Sequence, residues 1–159
     1  MRRSDREITD YHKMLHIMRS CDCCRLGFSE SGGAYIVPLN FGYREEQGRL
    51  ILYFHSADAG KKIELIKANP CVGFEMDTNH ALVEGDRACQ YSYRYQSIIG
   101  KGRISMLQTE TDKVCALQCI LSHYAPDRPA QEWTFDENLL ARVAVFALEV
   151  TEWSCKAHL

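Results

Sequence analysis

A mainly β fold is what this sequence predicts: six antiparallel strands with two or three interspersed helices, closed or nearly closed into a barrel. Three observations point there. Short runs alternate apolar and polar residues with a period of two, above all over 35–41 and 50–54. Strands and helices do not alternate regularly, and no G-x-G-x-x-G follows an initial strand, so a doubly wound sheet fits less well. Gly100 and Gly102 stand in the middle of the longest strand pattern, where a barrel needs a bend or a close backbone approach.

In chain order, Ile8, Tyr11, Leu15 and Met18 recur at helical spacing, with Asp5 and Glu7 ahead and Arg19 behind, and predict a helix over 6–20. Residues 24–30 form a short strand, ended by a turn at 30–33. Tyr35, Val37, Leu39 and Phe41 alternate in a second strand, and Pro38 inside it argues for a sheet edge or for a position whose N–H is not in the ladder. Gly48 closes the next turn, after which Leu50, Leu52 and Phe54 line one face of a third strand. From Asp58 the period becomes helical, with Ile63, Leu65, Ile66 and Ala68 on the buried side, until Asn69-Pro70 stops it. Residues 71–77 read as a fourth strand, 78–92 as a loop or irregular strand, and 93–107 as a long fifth strand. Val114, Leu117 and Leu121 stripe a helix over 110–122 with Thr109 as its cap, 123–138 is a loop holding Pro126 and Pro129, and 141–151 is the last strand.

A chain of 159 residues, 46% of them hydrophobic, is sized for a single domain over 1–159 with a sizeable core. Its net charge of -2, with basic residues mixed among acids, provides no driving force for nucleic acid or an anionic membrane. No apolar run is long enough to cross a bilayer and the N-terminus lacks a signal-peptide core, so the expected location is the cytoplasm. In that reducing compartment the eight cysteines read as buried or incidental thiols rather than disulfides. Cys21, Cys23 and Cys24 lack the second C-x-x-C that zinc usually requires, and Cys115 with Cys119 share a helix face as small apolar-like residues.

The stretch 35–62 carries the chemistry. His55 and Ser56 end a strand, Gly60 permits a tight turn, and Lys61 and Lys62 open a helix, so a hydroxyl, two cations and free helix N–H groups can converge on one phosphate. Alternatively Lys61 and Lys62 are a solvated helix start. Lysines are nevertheless poor company for the positive end of a helix dipole, and a bound anion would offset that penalty. His55, which can titrate near neutrality, is either a cofactor or substrate contact or a structural histidine.

Beyond these local features, the segments RRSDREI (2–8), CRLGF (24–28), YIVPLNFGY (35–43), GRLILYFHSADAGKKIELIKANPCVGFE (48–75), YRYQSIIGKGRI (93–104) and SHY (122–124) resemble, in order and spacing, the pyridoxamine 5'-phosphate oxidase-like FMN-binding split-barrel superfamily and, within it, the nitroimidazole-resistance (Nim) proteins. The resemblance implies a six-stranded antiparallel split barrel, a homodimer, and FMN in grooves between the subunits. It places Val37, Pro38, Leu39 and Asn40 along the isoalloxazine, Phe54, His55, Ser56 and Ala57 around the flavin and ribityl chain, and Lys61 and Lys62 on the phosphate. Tyr95, Gln96 and Ser97 would approach the ring from the opposite subunit. The implied activity is FMN-dependent reduction of a small nitroaromatic or quinone-like electron acceptor, with NAD(P)H or another donor and His55 as proton donor. A flavin-binding protein without turnover and a haem-binding relative are the alternatives. At the tail, Ser154 and Cys155 stand where the family more usually has threonine and glycine, which bears on whether Lys156 can reach the site. His123 with Tyr124 reads as a cap and packing pair.

Overall fold

A computed structural model describes residues 3–159; Arg2 of the RRSDREI segment lies outside them. After a 3-10 turn at Ser4–Arg6 the elements are β1 (Glu7–Ile8), α1 (Tyr11–Arg19), β2 (Cys24–Glu30), β3 (Gly33–Leu39), β4 (Gly42–Glu46), β5 (Arg49–Ala57), α2 (Lys61–Ala68), β6 (Cys71–Val83), β7 (Ser92–Met106), α3 (Glu110–Tyr124), α4 (Glu137–Ala141) and β8 (Val143–His158).

The expected six-stranded antiparallel barrel is not what forms. Eight strands make one antiparallel sheet in the order β3-β2-β6-β7-β8-β5-β4, with β1 added on β8, and the sheet stays open because its edges β3 and β4 share no ladder. Pro38, paired opposite Arg25, lies in edge strand β3, where a missing N–H is tolerated. The edges are nevertheless joined by Asn40 and Phe41 alone, a link that spans at most about 11 Å between the Leu39 and Gly42 Cα atoms. The sheet is therefore strongly curled without being closed.

Two added strands, β4 and β1, account for the changed count, and a longer β8 is a third difference. Residues 42–46, polar and with no apolar stripe, pair with β5 through a turn at Gln47 (φ 53°) and Gly48 (φ 76°). The pair Glu7–Ile8 leaves the expected first helix to meet Lys156 and Cys155, and Asp10 then caps a shorter helix by accepting from the Lys13 N–H at 3.0 Å. Strand β8 runs on to His158, because its second half pairs with β7 as its first half pairs with β5.

The core lies inside the curl: Phe28, Phe54, Phe146, Leu26, Leu52 and Met76 are buried there, along with Met14, Ile17 and Met18 of α1. Gly102 sits at the register shift after Lys101, and a Cβ on it would stand 2.2 Å from the Glu149 carbonyl oxygen, so the glycine allows β8 its close approach. Among the described residues no helix is long and apolar enough to cross a membrane.

Candidate functional site

Strand β5 delivers the predicted site residues by simple alternation. Phe54 points inward, fully buried and stacked on Phe146 at 5.5 Å, so it supports the strand from the core side. His55 takes the opposite, exposed face, Ser56 is half-buried and donates its hydroxyl to the Ala57 carbonyl at 2.8 Å, and Ala57 is exposed. Gly60 then adopts φ +111°, a conformation that favours glycine, and α2 begins at once with Lys61 and Lys62.

That helix start has no side-chain cap. The other three α-helices have one: Asp10 for α1, Thr109 for α3 and Asp136 for α4 each accept from N–H groups of the first turn. The first amides of α2 are thus without a side-chain acceptor, and two cations stand at the positive end of its dipole.

The two lysines differ. Lys61 reaches back to the β2–β3 hairpin, where its Nζ lies 2.9 Å from a Glu30 carboxylate oxygen and 4.4 Å from the centre of the Tyr35 ring. Lys62, half-buried, acts electrostatically on His55, whose pKa is lowered from 6.5 first by burial and then by the Lys62 charge. His55 is therefore biased toward neutral imidazole, and an anion at Lys62 relieves only the smaller of the two causes.

Val37, Pro38, Leu39 and Asn40 lie on or just beyond edge strand β3, with Val37 and Leu39 turned toward the core and Pro38 and Asn40 exposed. The Lys61 contacts tie the hairpin end of this edge, at Glu30 and Tyr35, to the start of α2, while Pro38 and Asn40 lie further along on the opposite face. Tyr95, Gln96 and Ser97 lie far from His55 within the chain. They pair with His158, Ala157 and Lys156, whereas His55 is level with Val145 and hence with Leu107, about 30 Å further along the β7 direction at the usual strand rise.

With this geometry in place, the comparisons with known proteins are clear at the level of family. The family model described as pyridoxamine 5'-phosphate oxidase matches residues 10–157. The chain belongs to that family. A solved structure from Bacteroides thetaiotaomicron, provisionally described as a 5-nitroimidazole antibiotic resistance protein, is 29% identical with a TM-score of 0.80, covering 95% of this chain and 86% of that one. The flavocytochrome Anf3 from Azotobacter vinelandii (18% identity, TM-score 0.81, 100% and 72% coverage) and an FAD and heme binding protein from Mycobacterium smegmatis (16%, 0.81, 96% and 73%) share the fold. No curated protein matches the chain.

This pyridoxamine 5'-phosphate oxidase family member also has a cleft that the sequence did not announce, of about 540 Å³, beside α3. Its lining comes from α1 (Arg19), β4 (Tyr43, Arg44), α3 (Cys115, Gln118, Cys119) and the segment beyond. No local motif could have assembled residues from elements so far apart in the chain. The end of α3 holds nearby backbone in place. Tyr124 Oη accepts from the Phe41 N–H at 3.1 Å and donates to the Asp22 carbonyl at 2.9 Å, while His123 Nε2 meets the Cys21 carbonyl at 2.8 Å. The thiols Cys21 and Cys24 are buried and raised in pKa by that burial, Cys21 to about 12, which keeps them protonated and unreactive. Among the described residues, no three His, Cys, Asp or Glu side chains cluster as a metal site.

Proposed function

We propose that this chain is an FMN-dependent oxidoreductase that reduces a small nitroaromatic or quinone-like compound with electrons from NAD(P)H or another donor. The observation that carries the reading is the uncapped, lysine-bearing start of α2 beside His55. Family membership and the description of the Bacteroides relative support it.

The residues present fit a phosphate-bearing flavin. Lys62 and the first amides of α2 supply donors for a phosphate, and Lys61 adds its charge by exchanging the half-buried Glu30 carboxylate for it. The edge of β3 offers backbone groups not used in a ladder, with Pro38 and Asn40 exposed beside them, for the polar rim of a ring. A bound FMN supplies the two-electron transfer. Neutralising Lys62 removes the smaller of the two causes that lower the His55 pKa, so a bound phosphate makes it easier for the imidazole to hold a proton at the surface where an acceptor is reduced. Because Tyr95, Gln96 and Ser97 lie so far from His55 within one chain, their participation requires a second copy, and the proposed unit is a homodimer.

The deciding experiment is the visible spectrum of protein reconstituted with excess FMN and freed of unbound ligand, followed by chemical reduction and addition of a nitroaromatic or quinone. Retained flavin that reoxidises faster than free FMN is the expected result. Retained flavin without such acceleration would make the chain a flavin-binding protein without turnover. A folded protein that retains no flavin overturns the reading, and a Soret band after haem addition would then favour the haem alternative suggested by the Azotobacter and Mycobacterium relatives.

A further inference from the structure

The cleft beside α3 shares no lining residue with the α2 start. It collects positive charge in a chain whose net charge is -2. Arg19 and Arg44 line it and no carboxylate does; Glu46 is hydrogen-bonded to Arg44 at 3.0 Å, and Asp22 is close enough to His123 to favour its protonation. Arg44 is oriented by that bond and by a second, from Nη2 to the Cys115 sulfur at 3.2 Å, which leaves N–H donors of its five to face the cleft. Arg19 makes no side-chain hydrogen bond or ion pair among the described residues, and its charge disfavours protonation of His123.

The rest of the wall is of a different kind. Tyr43, Pro126 and Ala130 present apolar surface, and Gln118 and Ser122 add neutral polar groups. A volume of about 540 Å³ lies within the usual range of small-molecule sites, which combine an apolar lining with a few aimed polar groups. Guanidinium groups are the side chains best shaped for carboxylate and phosphate oxygens.

We propose that this cleft is a second ligand site, which takes a small organic acid: a carboxylate or phosphate monoester on an aromatic or apolar body. Arg19 and Arg44 hold the oxyanion and Tyr43 and Pro126 pack on the body. The site stands independently of flavin binding at α2.

The test is calorimetric titration of the purified chain at low salt with benzoate, phenyl phosphate and neutral benzyl alcohol, in the wild type and in Arg19→Gln, Arg19→Lys and Lys62→Gln. At least one acid should bind about tenfold or more tightly than the alcohol, weaken about tenfold in Arg19→Gln, recover partly in Arg19→Lys and be unaffected in Lys62→Gln. Which acid binds better identifies the headgroup. Saturation should also raise the pKa of His123, followed by its imidazole proton resonance, since that ring faces Arg19 and Asp22, the Cys21 carbonyl, and the rings of Phe41, Tyr43 and Tyr124. Equal binding of the alcohol, no binding of either acid, or loss in Lys62→Gln but not in Arg19→Gln would overturn the proposal. Arg19 is exposed at the end of α1, so its variants should fold normally, which circular dichroism checks.

Discussion

The start of α2 and the cleft beside α3 are both cationic, but they acquire their charge in different ways. At α2 the cations are consecutive in sequence and sit on a helix end that lacks a cap. At α3 the cations come from separate elements, and the adjoining helix is already capped by Thr109. The first is a local device built on unsatisfied backbone groups, the second a tertiary device built from side chains that packing brings together. A perturbation of packing should therefore disturb the cleft more than the helix start, whereas a change of one side chain at α2 should be felt there alone.

The largest expected effect comes from the shared core. Phe54→Ala removes a fully buried ring stacked on Phe146 beneath His55 and should cost about 3–5 kcal/mol in denaturant unfolding. A cost below about 1 kcal/mol would mean that β5 is not anchored as described. Gly42→Ala separates the two regions more sharply. Its Cβ would lie 2.4 Å from the Cys119 carbonyl carbon on α3, so we expect a loss of about 1–3 kcal/mol and a displaced α3, with cleft binding impaired more than flavin binding. Gly32→Ala, which meets nothing within 4 Å, is the matched control in the same thermal melts.

Two smaller effects probe the α2 side. Lys62→Gln should weaken FMN by about tenfold and leave riboflavin nearly unchanged, while Lys61→Gln, whose lysine already has Glu30 as a partner, should weaken FMN by only about threefold. Equal losses in fluorescence titrations would erase the distinction between the lysines. The smallest effect is in pH. His55 is held below 6.5 in the folded chain, so the unfolded chain takes up that proton first. The stability associated with neutral His55 is present above about pH 6.5 and declines as pH falls toward the lower folded value. His55→Gln should flatten that part of the stability profile, and Lys62→Gln should move its lower limit upward.

The contrast also explains what could be read from sequence. The strand ending in His55, the turn at Gly60, the helix start, the cap at Thr109 and the edge position of Pro38 each rest on local rules, and each was legible. Strand β4 was not, because Arg44, Glu45 and Glu46 show no apolar stripe and become a strand only by pairing with β5. Pairing also governs the short β1 and the second half of β8, and the same omissions made a six-stranded, closed or nearly closed barrel look sufficient. At the site, sequence grouped Lys61 with Lys62 because nothing local reveals that Glu30 and Tyr35 fold back onto one of them. The family resemblance grouped Phe54 with His55, and alternation sends the two to opposite faces.

Strand β8 follows all its partners in the chain, yet it pairs with β1, β5 and β7. On a ribosome the sheet therefore lacks its joining strand until residues 143–158 emerge. Until then the nascent chain holds two incomplete halves whose facing edges, on β5 and β7, are open to any passing extended segment. Slowing synthesis just ahead of residue 143 should increase aggregation or chaperone dependence, while slowing it ahead of residue 49, before β5 is made, should not.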